Sequence, residues 1–111
     1  MMGEIECVVV LVTVSSAAEG RTIAHAVVAE GLAACVNCVG PLQSVYVWEG
    51  QVAEEAEYLL VIKTQGQRFP VLEARIRELH SYDVPEIIGL PIAQGSRPYL
   101  EWLVAGSQGM L

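Results

Sequence analysis

The sequence predicts one α+β domain, a ferredoxin-like βαββαβ sandwich with an antiparallel sheet and an added C-terminal helix. Three observations predict this fold. A chain of 111 residues has the length of one domain, so residues 1–111 are expected to form a single unit. Strand and helix periodicities follow one another in the order β-α-β-β-α-β. The middle of the chain, from Ala33 to Thr64, indicates two long strands joined by one tight turn.

The first part of this pattern is a strand followed by a capped helix. Ile5–Val14 is a nearly unbroken apolar run, which is typical of a strand in the middle of a sheet. Ser16 and Glu19 stand at the N-cap and N3 positions of a capping box, which begins a helix. Gly31 is expected at the C′ position, where glycine commonly ends a helix.

The last part of the pattern is a helix, a short strand and a final helix. Pro70 lies near the first turn of the second helix. Pro85–Pro91 reads as a strand bracketed by prolines, which confines it to a sheet edge. Ser96 caps a short helix that ends near Gly106. Right-handed crossovers then place strands one and three in the centre and strands two and four at the edges.

The central hairpin predicts assembly with other chains. β-Branched and aromatic residues flank Glu49-Gly50-Gln51, where glycine supplies the positive φ that a hairpin turn needs. Each arm exceeds the usual length of about 5–6 residues for a globular strand. Because a long unpaired strand edge invites pairing with another chain, we expect this hairpin to build an oligomer.

Composition excludes several classes of function. Thirteen Asp and Glu against six Lys and Arg give a net charge of −7, which leaves no basic stripe for nucleic acid. No apolar run approaches the ~20 residues of a membrane helix. The first residues carry an acidic group and lead directly into a strand pattern, unlike a signal peptide. We therefore expect a cytoplasmic protein that binds neither nucleic acid nor membrane.

The three cysteines are expected to be small buried apolar residues. Cys35-Val36-Asn37-Cys38 matches C-x-x-C, but residues three apart in a strand point to opposite faces, so the pair is expected to hold neither a metal nor a disulfide. The third cysteine is Cys7. No serine or cysteine has a histidine and a carboxylate at a recognisable catalytic spacing, and Cys35 lies in a strand with no elbow or helix N-terminus beside it. The sequence therefore predicts no catalytic residue and no enzyme.

Five motifs stand in order along the chain. They are Gly31-Leu-Ala-Ala-Cys35-Val-Asn37, Tyr46-Val-Trp48-Glu49-Gly50, Ile62-Lys63-Thr64, His80-Ser-Tyr82-Asp-Val-Pro85-Glu86-Ile87 and Tyr99-Leu-Glu-Trp102-Leu103. Together they resemble the CutA divalent-cation-tolerance proteins, and the resemblance runs from about Val8 to Val104. It implies a ferredoxin-like protomer in a homotrimer built by pairing of the long hairpin strands. It also implies a role in tolerance to copper and other divalent metals.

The resemblance also implies a metal site. Proposed ligands in the family are a cysteine near the end of strand one, the histidine of a His-Pro-Tyr segment and the glutamate of a Pro-Glu step. The histidine and glutamate correspond to His80 and Glu86, but Val12 stands at the cysteine position and Ser81 replaces the proline. We therefore expect a weak site for Cu(II) or another divalent cation, with no obligate cofactor.

A second group of residues indicates either a ligand pocket or a structural network. Lys63 ends an apolar run, so its charge needs a partner, and Glu49 or Glu86 could supply it. Together with Trp48 and Tyr82, these residues are expected to line a polar cleft between subunits. The cleft would bind a small ligand or an anion; the alternative is an ion-pair network that specifies the assembly.

The alternative function is a trimeric small-ligand sensing and signalling module resembling PII proteins. PII proteins share the ferredoxin-like trimer but carry a long flexible loop between strands two and three. Here only the tight turn at Trp48–Gln51 is present, which favours the divalent-cation-tolerance interpretation.

Overall fold

The structure is a computed structural model that describes residues 6–109. Ile5, the expected start of the first strand, lies outside the described residues. A short 3-10 turn at Gly66–Arg68 precedes the second helix. The strands are β1 (Cys7–Val14), β2 (Cys35–Trp48), β3 (Gln51–Gln65) and β4 (Ile87–Pro91), and the helices are α1 (Ala17–Ala29), α2 (Phe69–Leu79) and α3 (Arg97–Gly106).

The four strands form one open antiparallel sheet in the order β2-β3-β1-β4. The predicted central positions of strands one and three are confirmed, as are the edge positions of strands two and four. β1 pairs with β3 along its whole length, from Cys7 opposite Gln65 to Val14 opposite Tyr58. The open sheet with three helices confirms the predicted α+β class.

The hydrophobic core lies between one face of the sheet and the helices α1 and α2. Alternate residues of the central strands point to this face because side chains alternate along a strand. Ile23 and Val27 of α1 and Leu72 and Ile76 of α2 cover them, and all four are fully buried. The buried strand residues are Val8, Val10, Val12, Val14, Leu60 and Ile62.

The helix boundaries follow the predicted capping residues. The hydroxyl of Ser16 accepts a hydrogen bond from the backbone N–H of Glu19 at 3.1 Å, which begins α1. Gly31 has a φ of 72°, so the left-handed residue expected after α1 is confirmed. Ser96 accepts a hydrogen bond from the N–H of Tyr99 at 3.4 Å and begins α3.

Helix α3 packs on the opposite face of the sheet, at the end where β1 begins. Gln65, the register partner of Cys7, points to this face and is fully buried. Its amide nitrogen donates to the carbonyl oxygens of Ser107 and Val104, at 2.9 and 3.2 Å. This buried amide fixes the end of α3 against β3.

The β2–β3 hairpin extends far beyond the rest of the sheet. Glu49 and Gly50 both have positive φ, 52° and 80°, so they form a two-residue turn and Gln51 already belongs to β3. Because β1 ends opposite Tyr58, residues 51–57 pair only with β2 among the described strands. The radius of gyration of 14.8 Å exceeds the roughly 13 Å expected for a compact domain of this length.

Candidate functional site

The loop that follows α2 begins with a buried histidine whose two ring nitrogens both have partners. The His80 side chain is fully inaccessible to solvent. Nε2 lies 2.8 Å from the carbonyl oxygen of Thr13, and Nδ1 lies 3.0 Å from the backbone nitrogen of Tyr82. A carbonyl only accepts and an amide N–H only donates, so the proton sits on Nε2 and Nδ1 accepts. His80 thereby joins the end of β1 to the loop.

The carboxylate of Glu19 holds the same loop to α1. It accepts hydrogen bonds from the Ser15 hydroxyl at 3.0 Å and from the backbone N–H and hydroxyl of Ser81 at 2.8 and 3.1 Å. Burial alone raises the pKa of Glu19, but these hydrogen bonds outweigh it and the net pKa lies below its usual value. The carboxylate also lies 3.5 Å from Nδ1 of His80. Only half of the predicted capping box is therefore present, since the Glu19 side chain turns to this loop.

Tyr82 joins the loop to the hairpin. Its hydroxyl donates to Oε2 of Glu57 at 2.7 Å, and Glu57 is only 8% exposed. The Tyr82 ring packs against the His80 ring at a centroid distance of 4.7 Å. Burial and the hydrogen bond to Glu57 raise the pKa of the Tyr82 hydroxyl. These contacts give the loop a fixed position between α1, β1 and the hairpin.

Sequence reasoning missed Glu57 and the second role of Glu19. Glu57 precedes the apolar run of β3, so a change from acidic to apolar residues marks its position but does not indicate a partner. Ser81 lies 62 residues from Glu19, and no local pattern reports a contact across that separation.

The structure does not gather the residues predicted to bind metal into a ready site. Glu86 is exposed, whereas Val12 is fully buried in the core between α1, α2 and the sheet. Within residues 6–109, no group of three or more His, Cys, Asp or Glu side chains could hold a metal ion. A cation at Nδ1 of His80 must first displace the N–H of Tyr82. Metal binding by His80 and Glu86 stays a prediction.

The residues predicted to line a ligand cleft are also separated within one protomer. Within the protomer, Lys63 donates to the side-chain oxygen of Asn37 and to the sulfur of Cys35. Its expected pairing with Glu49 or Glu86 in a cleft between subunits stays a prediction. Glu49 lies in the hairpin turn. The rise per residue of a β-strand places this turn about 40 Å from Lys63.

Trp48, the last residue of β2 beside that turn, is 64% exposed, whereas Tyr82 lies in the loop bound to Glu57. A cleft containing all four predicted residues, Lys63, Trp48, Glu49 and Tyr82, therefore requires a second subunit.

The cysteines occupy three different environments. Cys7 is buried, as predicted, and burial raises the pKa of its thiol. Cys38 is exposed and Cys35 partly exposed, so the prediction that all three are buried is wrong, because β2 is an edge strand. Cys35 and Cys38 do point to opposite faces of β2. The first lies beside Lys63, and the second lies against Gly20 of α1.

Comparison with known proteins matches this chain to one protein family. The family described as CutA1 divalent ion tolerance protein has a model that matches residues 8–106, nearly the whole chain. The chain belongs to this family. The match confirms the resemblance indicated by the five sequence motifs.

Relatives in the CutA1 family span bacteria, archaea and plants. The divalent-cation tolerance protein CutA of Thermus thermophilus is 56% identical over 95 residues, which are 86% of this chain and 92% of that protein. The chloroplastic protein CutA of Arabidopsis thaliana is 49% identical over 96 residues, 86% of this chain but 53% of that longer protein.

Solved structures of CutA1 relatives share the fold. CutA1 from Oryza sativa superposes with a TM-score of 0.92 at 44% identity, covering 94% of this chain and 95% of that one. The periplasmic divalent cation tolerance protein CutA of Archaeoglobus fulgidus gives 0.89 at 29% identity, covering 92% and 99%. The Arabidopsis relative is named chloroplastic and the Archaeoglobus relative periplasmic, so the expected cytoplasmic location is not a property of every member of the family. No helix within residues 6–109 is both long and apolar enough to cross a bilayer.

Proposed function

We propose that this CutA1-family chain functions in divalent-cation tolerance as a homotrimer of ferredoxin-like protomers, assembled through the β2–β3 hairpin. The observation that supports the proposal is the end of the hairpin, where, within residues 6–109, residues 51–57 pair with β2 alone. A two-stranded ribbon with no further support is marginally stable in water. Pairing with another subunit stabilises it.

The backbone at the hairpin end is arranged for pairing with another chain. In an antiparallel ladder, pairs that exchange hydrogen bonds alternate with pairs that do not. The closing pair Trp48–Gln51 exchanges hydrogen bonds, so the next pair, Val47–Val52, points its N–H and C=O groups outward. Val45, two residues before Val47 in the chain, also points its N–H and C=O groups outward. The outer edge of β2 thus offers a row of free donors and acceptors.

The side chains at the hairpin end also favour a buried position in an assembly. Val45, Val47 and Val52 are 64%, 69% and 76% exposed. Burying one such side chain contributes about 1.5–3 kcal/mol. Exposed apolar side chains at this density are typical of a subunit interface.

A second apolar surface lies on the sheet face opposite α1 and α2, between α3 and the hairpin end. Ile88 and Leu90 of the edge strand β4 remain 49% and 47% exposed there. Neighbouring subunits of a trimer would cover the apolar part of this face, whereas its end at Lys63 borders the proposed ligand cleft between subunits. The alternating pattern and register place on the apolar part Val9, Leu11, Leu59, Val61, Ile88 and Leu90.

A ligand cleft in this trimer would combine residues from two protomers. Trp48 and Glu49 lie about 40 Å from Lys63 of the same chain along β3. The hairpin of one subunit therefore has the reach to bring them to Lys63 or Tyr82 of a neighbour. The proposed role requires no catalysis, and the proposed location is the cytoplasm.

The proposed cation site at His80 and Glu86 is weak for a structural reason. Nδ1 of His80 binds a cation only after it loses the hydrogen bond from Tyr82. Glu86 supplies one exposed carboxylate, and water completes the coordination. With nitrogen and oxygen ligands, Cu(II) binds more tightly than Zn(II) under the general order of affinities.

Isothermal titration with Cu(II) and Zn(II) tests this site. His25, exposed on α1, is the other histidine of the chain, so the His25→Ala variant removes adventitious copper binding by that imidazole. In that background we expect His80→Ala to abolish the remaining isotherm, and we expect acidification to weaken binding because imidazolium does not ligate. An unchanged isotherm in the double variant contradicts the site. Titration with nucleotides tests the small-ligand alternative.

A further inference from the structure

A thiol, a lysine and an amide side chain form a small cluster on the face of the sheet opposite α1 and α2. Cys35 of β2 and Lys63 of β3 are direct register partners. The ammonium nitrogen of Lys63 lies 3.8 Å from the sulfur of Cys35 and also donates to the side-chain oxygen of Asn37. The Cys35 thiol in turn donates to that oxygen at 3.8 Å. Two adjacent strands therefore hold a nucleophile and a charged nitrogen side by side.

The environment of Cys35 differs from that of the other two thiols. Cys7 is buried, whereas Cys38 is exposed on the opposite face and has Gly20 of α1 as a neighbour. Cys35 is partly exposed and has Lys63 beside it. A partly exposed cysteine next to a lysine is the setting in which reactive thiols are found. Exposure alone would make Cys38 the most reactive thiol, but Cys35 is the thiol that has a lysine nitrogen 3.8 Å from its sulfur.

We propose that Cys35 is a site of oxidative modification, at which hydrogen peroxide oxidises the sulfur and Lys63 then captures it in a sulfur–nitrogen cross-link. This site is separate from the proposed cation site and does not depend on cation binding. No other protein is needed, because both reacting groups belong to the same sheet.

The oxidation step transfers an oxygen atom from peroxide to sulfur. After the thiol has lost its proton to solvent, the sulfur attacks one peroxide oxygen, an S–O bond forms and the O–O bond breaks. Lys63 donates a proton to the departing oxygen, which leaves as water. The sulfur is oxidised by two electrons to sulfenic acid, the peroxide is reduced, and Lys63 becomes a neutral amine.

The capture step needs no further oxidant. The neutral amine of Lys63 attacks the sulfenic sulfur, the S–N bond forms, and the S–O bond breaks with release of a second water. The side chain of Lys63 has four flexible carbon–carbon links, so its nitrogen closes the 3.8 Å separation from Cys35 without movement of either strand. The product is a sulfenamide that joins β2 to β3.

Two measurements on the native protein test the proposal. In the first, iodoacetamide labelling at neutral pH is followed by peptide mass spectrometry. We expect Cys35 to react faster than Cys38 despite its lower exposure. We expect Lys63→Met to slow the labelling of Cys35 by roughly tenfold, which corresponds to about 1.4 kcal/mol in the activation free energy. The labelling rate of Cys38 is the internal control. Faster labelling of Cys38 in the wild-type protein, or no effect of Lys63→Met, overturns the proposal.

In the second measurement, the protein is treated with peroxide, its remaining thiols are blocked, and it is digested with trypsin. A modified Lys63 resists cleavage, so the cross-link yields a peptide from Thr22 to Arg68 that lacks two hydrogen atoms. A disulfide between Cys35 and Cys38 also loses two hydrogens but leaves cleavage after Lys63 intact, which separates the two products.

The Lys63→Arg variant isolates the capture step, because a guanidinium keeps the charge but does not condense with sulfenic acid. We expect this variant to form sulfenic acid at Cys35, trapped by dimedone, without the joined peptide. Normal cleavage after Lys63 in the oxidised wild-type protein overturns the cross-link. Oxidation of Cys35 only after unfolding in urea overturns the whole proposal, because it shows that the thiol is inaccessible in the assembled protein.

Discussion

The hydrogen bond between Tyr82 and Glu57 is the contact most easily removed from the candidate site. Tyr82→Phe deletes one hydroxyl and leaves the ring in place. The carboxylate of Glu57, 8% exposed and 2.7 Å from that hydroxyl, then loses its donor. Hydrogen bonds to charged groups contribute about 1.5–3 kcal/mol, because the buried partner is left without a donor. We expect Tyr82→Phe to lower the free energy of unfolding by about 2 kcal/mol.

Thermal unfolding followed by circular dichroism measures this loss. For a domain of this size, about 2 kcal/mol corresponds to a fall in Tm on the order of 10 °C. Tyr99→Phe is the matched control, since Tyr99 is 42% exposed on α3, and we expect it to change stability by less than about 0.5 kcal/mol. All variants are compared at the same protomer concentration, because assembly contributes to Tm. Equal stability of the two variants would refute the role assigned to Tyr82.

The same hydroxyl predicts a dependence on alkaline pH. Burial and the hydrogen bond to Glu57 raise the pKa of Tyr82 in the folded protein. Above the ordinary tyrosine value of about 10, the unfolded chain loses this proton before the folded protein does. The contribution of Tyr82 is therefore complete below about pH 10 and declines as pH rises further. In Tyr82→Phe, the loss of stability above that pH should be smaller than in the wild type.

Two further predictions concern the ends of the helices. Gln65→Glu should destabilise the protein by about 3–5 kcal/mol, since it buries a carboxylate against the carbonyl of Ser107. Gln65→Met removes the amide donors and the acceptor of Gln67 without adding a charge, and it should cost about 1–3 kcal/mol; chemical denaturation compares the two variants. Gly31→Ala should cost more than Gly50→Ala in the same assay. Both glycines have positive φ, but only at Gly31 would the new Cβ lie 2.6 Å from Gly109; equal losses would contradict that close approach.

The order and type of the elements could be predicted because their signals are local. The apolar run of β1, the cap at Ser16 and the glycine after α1 each specify a boundary within a few residues. The two-residue turn at Glu49 and Gly50 likewise specifies the hairpin. Strand order then follows from the handedness of crossovers and from the prolines around β4.

The contacts of the candidate site could not be predicted because they join residues far apart in the chain. Glu19 reads as a capping residue, yet its carboxylate binds Ser81 across 62 residues. Lys63 ends an apolar run, so the sequence shows that its charge needs a partner but does not identify that partner. Within the protomer, the register of β2 against β3 places Asn37 and Cys35 beside it. Burial is equally non-local: Cys38 is exposed because no strand lies beyond β2 in the described sheet.

The placement of α3 is a second feature that local patterns do not determine. Its amphipathic pattern predicts a helix with one buried face, and either face of the sheet could receive it. Gln65 determines which face α3 packs on, because its buried amide lies on the face opposite α1 and α2 and donates to carbonyl oxygens at the end of α3.

Sedimentation equilibrium at low micromolar concentration tests assembly through the hairpin most directly. We expect the wild-type protein to have about three times the protomer mass of 12.0 kDa. Val47→Pro removes an outward N–H without removing a donor of the β2–β3 ladder, so we expect it to weaken the trimer, whereas Val47→Ala keeps that N–H and should retain more of it. A monomeric wild-type protein, or an undiminished trimer in Val47→Pro, would contradict assembly through the hairpin.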